Sequence, residues 1–155
     1  MGLIFVTGGA KSGKSKFAEE MLLKLNNGKQ KNIYLATSLV FDEEMKEKVR
    51  LHKKRRKDEW FTVETYKNFE NELSNFFENN EKLNKDVEHS VIELLNVADQ
   101  FENTIIVSNE LGMGLVPSYP LGRYFREIAG KMNQIVAETA DEVYLVVSGI
   151  PMKIK

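Results

Sequence analysis

Apolar residues fall along this chain in short unbroken runs separated by longer helical stripes. Leu3, Ile4, Phe5 and Val6 form the first run, the signature of a strand buried on both faces. Phe17, Met21 and Leu25 then recur at helical spacing, and Asn26-Asn27-Gly28 is a C-terminal stop followed by a polar turn. Residues 32–36 read as a second strand. Asp42 can cap a helix running to about Lys57, with Glu43 and Glu44 in its first turn, cations in its last turns, and Met45, Val49 and His52 on its inward stripe. Nothing strand-like occurs between Tyr66 and Gln100. Instead, Leu83, Val87, Val91, Leu94, Ala98 and Phe101 step by three or four, an amphipathic helix that leaves His89 on another face. Thr104, Ile105, Ile106 and Val107 make a third strand, followed by Ser108, Asn109 and Glu110 and then by Gly112-Met113-Gly114. Pro117 and Pro120 bracket a rigid connection to a helix carrying Phe125, Ile128, Met132 and Ile135 on one face. Residues 143–147 form the last buried run. After the turn at Gly149-Ile150-Pro151, residues 152–155 are expected to pair back as a short antiparallel edge. Strands alternating with helices predict an α/β protein with a mostly parallel sheet.

Composition narrows the classes. A length of 155 residues suits one domain spanning 1–155, with the Asn- and Glu-rich stretch at about 67–84 reading as a mobile or shortened segment. There is no Cys, so disulfides, thiolate metal sites and a Cys nucleophile are excluded together. The first apolar run is too short for a signal peptide or a membrane span, and a cytoplasmic protein is expected. A net charge of -1 provides no global field to recruit nucleic acid.

The chemistry gathers at residues 8–15. Gly8, Gly9, Ala10, Lys11, Ser12, Gly13, Lys14 and Ser15 fit G-x-x-x-x-G-K-[ST] between a strand and a helix, where that pattern has a mechanism. Glycines let backbone close around phosphate, and the N–H groups of the loop and helix start donate to its oxygens. Lys14 neutralises charge, and Ser15 offers a hydroxyl to Mg²⁺. Three further features each have two readings. Thr37 and Ser38 end the second strand either as ligand-facing hydroxyls or as turn residues. Arg50, Lys53, Lys54, Arg55, Arg56 and Lys57 surround His52 as a polyphosphate clamp or as a solvated helix end. Glu110, just past a buried strand, is a Mg²⁺-linked or catalytic acid, or the acid that caps its own turn.

Taken together, these motifs resemble a known family. The run VTGGAKSGKS, YLATS at residues 34–38, DEEM at 42–45 with His52-Lys53, and Trp60 resemble the bifunctional adenosylcobinamide kinase/adenosylcobinamide-phosphate guanylyltransferases of cobalamin biosynthesis. The C-terminal third is more specific: VSNELGMGLVP, the helix RYFREIAGKMNQIVAETADEVYLVV, and SGIPMKIK are similar over nearly their whole length. The resemblance covers the chain except roughly residues 67–100. It implies a P-loop α/β fold of the RecA type, assembly as a homotrimer with sites near subunit boundaries, and GTP, ATP and Mg²⁺ as nucleotide substrates and cofactor. It implies adenosylcobinamide and its phosphate as partners, and a guanylylated histidine at the position of His52. It carries nucleotide contact over to residues 8–15, Ala36, Thr37, Ser38, Lys53, Lys54, Arg55, Arg56 and Glu64. Chemistry is consistent with a histidine nucleophile. An unperturbed imidazole has a pKa of about 6.5 and is mostly neutral at pH 7, whereas an ordinary lysine at about 10.4 is not.

One stretch departs from the family pattern. Between the segment around Trp60 and the motif that Ser74-Asn75 represents, family members carry an apolar strand ending in Asp or Glu before Cys, and this chain has no counterpart. The loss bears on the kinase step more than on nucleotide binding. Two other readings therefore stay open: a generic P-loop small-metabolite kinase, which leaves His52 without a role, and a non-catalytic module that binds nucleotide or corrinoid.

Overall fold

A computed structural model of the chain describes residues 2–26, 32–36, 50, 60–64 and 80–155. These fall into two compact units, residues 1–25 with 79–155, and residues 26–78. No helix among the described residues is long and apolar enough to cross a membrane.

The first unit is built on four strands: β1 (Leu3–Gly8), β4 (Thr104–Asn109), β5 (Glu142–Val147) and β6 (Ile150–Lys153), in the order β4-β1-β5-β6. β1 runs parallel to both neighbours, with Phe5 opposite Ile106 on one side and Val143 on the other. β6 pairs antiparallel with β5, giving the expected hairpin, but with Ile150 opposite Val147 and Lys153 opposite Tyr144. The turn is confined to Ser148 and Gly149, both at positive φ, so Ile150 and Pro151, expected in the turn, already belong to the strand. Because successive side chains on a strand point to opposite faces, β1 feeds two cores at once. Phe5 packs with Val143 against Val91, Val136 and Ala140, beneath α2 (Asn80–Ala98) and α3 (Pro120–Thr139). Ile4 and Val6 pack with Val146 against Ala18, flanked by Phe17 and Met21 of α1 (Lys14–Asn26). The sheet is thus covered on both faces, which is why β1 reads as continuous apolar sequence.

Helix ends follow local chemistry. Pro120 occupies the first turn of α3, where its missing N–H costs no hydrogen bond. At the other end, the Lys155 amine donates to the carbonyls of Ala137, Glu138 and Ala140 at 3.0, 3.0 and 2.6 Å, satisfying oxygens the helix leaves unpaired. α2 stops three residues short of the apolar stripe predicted for it. Tight turns at Asp99, Gln100 and Phe101 leave the Phe101 ring half exposed, and the Thr104 hydroxyl donates to Ala98 O at 3.0 Å. His89 is exposed, as expected, 3.4 Å from Glu93. Residues 80–84 of the stretch read as mobile or shortened are helical; the rest of it lies outside the described residues.

The second unit contains a parallel pair, β2 (Asn32–Ala36) and β3 (Trp60–Glu64), in register from Asn32 opposite Trp60 to Ala36 opposite Glu64. The Tyr34 and Trp60 rings meet edge to face at 6.3 Å, and the Asn26 amide donates to Asn32 Oδ1 at 2.9 Å. β3 was not apparent from residue pattern: five residues bearing Thr and Glu become a strand through pairing with β2. The helix expected over 42–57 lies outside the described residues except for Arg50, which is helical.

Candidate nucleotide site at the carboxyl edge of the sheet

β1 ends at Gly8, and its chain turns at once into the loop that opens α1. Lys11 has φ +56° and Gly13 φ +94°, so the loop curls its backbone N–H groups inward. Ser12 N–H donates to Gly9 O at 3.2 Å, and Phe17 N–H, bonded to Gly13 O at 3.0 Å, begins the hydrogen-bond ladder of α1. The N–H groups of Lys14, Ser15 and Lys16, preceding Phe17 in the first turn, are free of intrahelical acceptors and carry the positive end of the helix dipole.

Side chains and packing sharpen the site. The Lys14 amine lies across the loop, donating to Gly9 O at 3.0 Å, and its burial holds it below the usual lysine pKa. Ser12 Oγ is buried with no hydrogen-bond partner among the described residues. A buried hydroxyl costs free energy when left unpaired, so this atom fits a loop that closes on a polar ligand. The loop rests on the far end of β5. Gly149 N–H donates to Ser12 O at 2.8 Å, and a Cβ on Gly13 would stand 3.2 Å from Gly149 Cα. At Gly8 the approach is closer still, for a Cβ there would meet Val146 O at 2.4 Å. The β5-β6 turn thus supports the phosphate loop. Sequence reading identified that turn without assigning it a part in the site; the adjacent Ser148 and Gly149, both at positive φ, mark it.

The loop after β4 emerges from the same edge. Glu110 N–H donates to Gly8 O at 2.9 Å, which ties its backbone to the first residue of the phosphate loop. Its carboxylate accepts a hydrogen bond from Gly112 N–H. Glu110 thus follows the end of β4 directly, and its side chain has the geometry of the acid that caps its own turn. Asn133 of α3 donates to Asn109 O at 3.0 Å, fixing the strand end from the helix side.

Other residues expected at the site divide between two places. Ala36 and Glu64 are direct partners at the carboxyl ends of parallel strands β2 and β3. Thr37, Ser38, His52, Lys53, Lys54, Arg55 and Arg56 lie outside the described residues. Ser15 sits half buried in the first turn of α1, next to Lys14. No group of three or more His, Cys, Asp or Glu side chains suited to a metal occurs among the described residues. The Ser15 hydroxyl beside the cradle is one of the protein groups that hold Mg²⁺ in P-loop sites, where a carboxylate normally joins it.

A phosphate cradle between the first strand and first helix of a mostly parallel sheet defines a P-loop α/β protein. Residues 4–154 match the family described as cobinamide kinase / cobinamide phosphate guanyltransferase (CobU). The chain is 33% identical to the bifunctional adenosylcobalamin biosynthesis protein CobU of Escherichia coli, over 99% of each chain. It is 34% identical to the CobU of Salmonella typhimurium, over 99% of each, and 30% identical to the CobP of Pseudomonas aeruginosa, over 97% of this chain and 95% of the relative. The chain belongs to the cobinamide kinase / cobinamide phosphate guanyltransferase family. Each alignment with the two CobU proteins spans 184 positions against 155 residues here, so both relatives carry residues opposite gaps in this chain.

Proposed function

We propose that this protein transfers GMP from GTP to adenosylcobinamide phosphate through a guanylyl-histidine at His52, and phosphorylates adenosylcobinamide with ATP or GTP. The observation that carries nucleotide use is the cradle itself, with Lys14 and the start of α1 converging beside the buried, unpartnered Ser12 hydroxyl. In the transfer reaction, a neutral His52 nitrogen attacks the α-phosphorus of GTP. A P–N bond forms as the bond to the bridging oxygen breaks, and pyrophosphate leaves with its electron pair. Cations at the loop, and at Lys53, Lys54, Arg55 and Arg56, absorb charge building on the phosphoryl oxygens. A phosphate oxygen of the acceptor then attacks the same phosphorus, breaks the P–N bond and yields adenosylcobinamide-GDP, freeing the imidazole.

In the kinase reaction the aminopropanol hydroxyl of adenosylcobinamide takes the γ-phosphoryl group and gives up its proton, and the nucleoside diphosphate departs. The loop N–H groups and Lys14 hold the phosphates in line, which is most of what phosphoryl transfer asks of a protein. Ser15 would hold Mg²⁺, which when bound neutralises the β- and γ-phosphates. Ala36, Thr37, Ser38 and Glu64 complete the nucleotide contacts. The chain acts as one domain in a cytoplasmic homotrimer with sites near subunit boundaries, which mass measurement in solution checks.

The deciding experiment is labelling with GTP marked at the α-phosphorus. An acid-labile, base-stable adduct should form on the wild type, vanish in His52→Asn and persist in His89→Asn. Label surviving in a folded His52 variant would disprove the assignment. ATP consumption with a hydroxyl acceptor and no label would favour a generic kinase, and binding without turnover a non-catalytic module.

A further inference from the structure

We propose that the cleft between α3 and the loop after β4 binds the phosphate of the phosphorylated acceptor, with Arg123 and Arg126 as its two anion-binding side chains. The inference rests on the acceptor chemistry proposed above, in which the acceptor phosphate is the attacking group, so that cations outside the phosphate loop would select the phosphorylated acceptor over the unphosphorylated one.

Arg123 and Arg126 are one helical turn apart on α3 and line an open cleft of about 440 Å³, whose opposite side includes Gly112 and Val116. That volume is in the range of small-molecule sites. Neither guanidinium meets a carboxylate among the described residues. Arg123 Nη1 donates to Pro117 O at 3.1 Å and Ser118 O at 2.7 Å, and Arg126 Nη2 donates to Gly112 O. Each side chain is therefore anchored on backbone at one corner and retains its other N–H donors. An arginine so anchored has already lost much of its rotamer freedom, and its planar fork matches phosphate oxygens two at a time.

Among the described lining residues Arg123, Arg126 and Lys131 outnumber one carboxylate, Glu127; Lys131 is paired with Glu88 of α2, and the Glu110 carboxylate beside the lining is engaged by Gly112 N–H. The floor is open as well: a Cβ on Gly130 would meet nothing within 4 Å. Val116 of the lining is exposed, as is its chain neighbour Leu115, apolar surface suited to the ring of a corrinoid whose phosphate reaches the arginines. Position completes the argument. The loop leaves the sheet where Glu110 N–H is bonded to Gly8 O, so the cleft opens from the same strand edge as the phosphate cradle.

Binding to the full chain tests this without any transfer reaction. Titration calorimetry compares adenosylcobinamide phosphate with adenosylcobinamide in the wild type, Arg123→Gln, Arg126→Gln and Arg126→Lys. The wild type should prefer the phosphorylated ligand. Each glutamine variant should weaken the phosphorylated ligand at least tenfold and the unphosphorylated one much less, with Arg126→Lys intermediate because it keeps the charge and loses the fork. Gly130→Asp, which adds a carboxylate in open space without touching either arginine anchor, should abolish the preference and covers the case in which a glutamine variant fails to fold. A wild type without preference, equal losses for both ligands, or a folded Gly130→Asp protein that binds like the wild type would overturn the site. Histidine labelling by GTP alone, run without acceptor, scores the transfer reaction separately. Label without phosphate preference overturns only the cleft, and phosphate preference without label overturns only the transfer.

Discussion

Two loops leave the carboxyl edge of the four-stranded sheet side by side, and they are held by different means. After β1, backbone fixes the path: a left-handed turn at Lys11 and Gly13, the first turn of α1, and a platform made by the β5-β6 turn. After β4, side chains from α3 hold the path, with Arg123, Arg126 and Asn133 each donating to a loop or strand-end carbonyl. The first arrangement leaves no room for variation in shape, as suits a ligand group as constant as a chain of phosphates. The second is anchored by long side chains on an exposed surface, where adjustment to a bulky acceptor costs little.

The largest test of this contrast is Gly8→Val. Its Cβ would collide with the backbone oxygen of Val146, which no rotamer change relieves, so the expected loss is about 3 kcal/mol or more in urea unfolding, at the upper end for overpacking. A variant within 1 kcal/mol of the wild type would show that this loop is as adaptable as its neighbour. Next comes Lys14→Ala. Removing one charge-assisted phosphate contact should weaken GTP and ATP by about tenfold to a hundredfold with the circular dichroism spectrum unchanged. Equal affinity in a folded variant would remove the cradle from nucleotide binding.

Asn133→Ala probes the other loop's support. It deletes one exposed hydrogen bond to Asn109 O and should cost about 1 kcal/mol, several times less than Gly8→Val. A comparable loss would mean that both loops are built into the core. The smallest effect is electrostatic. Burial lowers the Lys14 pKa in the folded state, so at pH values between that lowered value and the unfolded value of about 10.5 the unfolded chain binds more protons. Lys14 therefore contributes a rise in stability of the nucleotide-free protein with pH through that window, opposed above about pH 10 by Tyr124 and Tyr144, whose raised pKa values act with the opposite sign. The melting temperature of the wild type minus that of Lys14→Met isolates it and should rise with pH; a difference that falls or stays constant would contradict the buried position of the amine.

Local pattern was sufficient wherever burial and periodicity agree. β1, α1, β4, α3 and the final hairpin are legible because apolar runs and stripes have one physical solution in an open α/β sheet, and residues 8–15 because their spacing matches a phosphate-binding mechanism. β3 was not legible. A five-residue run with Thr and Glu has no strong preference until a partner strand supplies its ladder. The Phe101 position failed for a related reason: helical spacing continued in sequence after tight turns had ended the helix.

What the sequence determined by itself is the presence of the cradle, the alternation of strands and helices, and the family to which the motifs point, since each depends on residues close together in the chain. Tertiary structure decided which distant residues serve that cradle. Gly149 lies 136 residues beyond Gly13 and yet its Cα stands against it. Within the second unit, taken by itself, Ala36 meets Glu64 only because two strands run parallel in register. It also decided that Arg123 and Arg126 turn back onto the loop before them and leave donors facing a cleft. Helical periodicity tells which residues share a face of α3, but hydrogen bonds across the fold determine what that face meets.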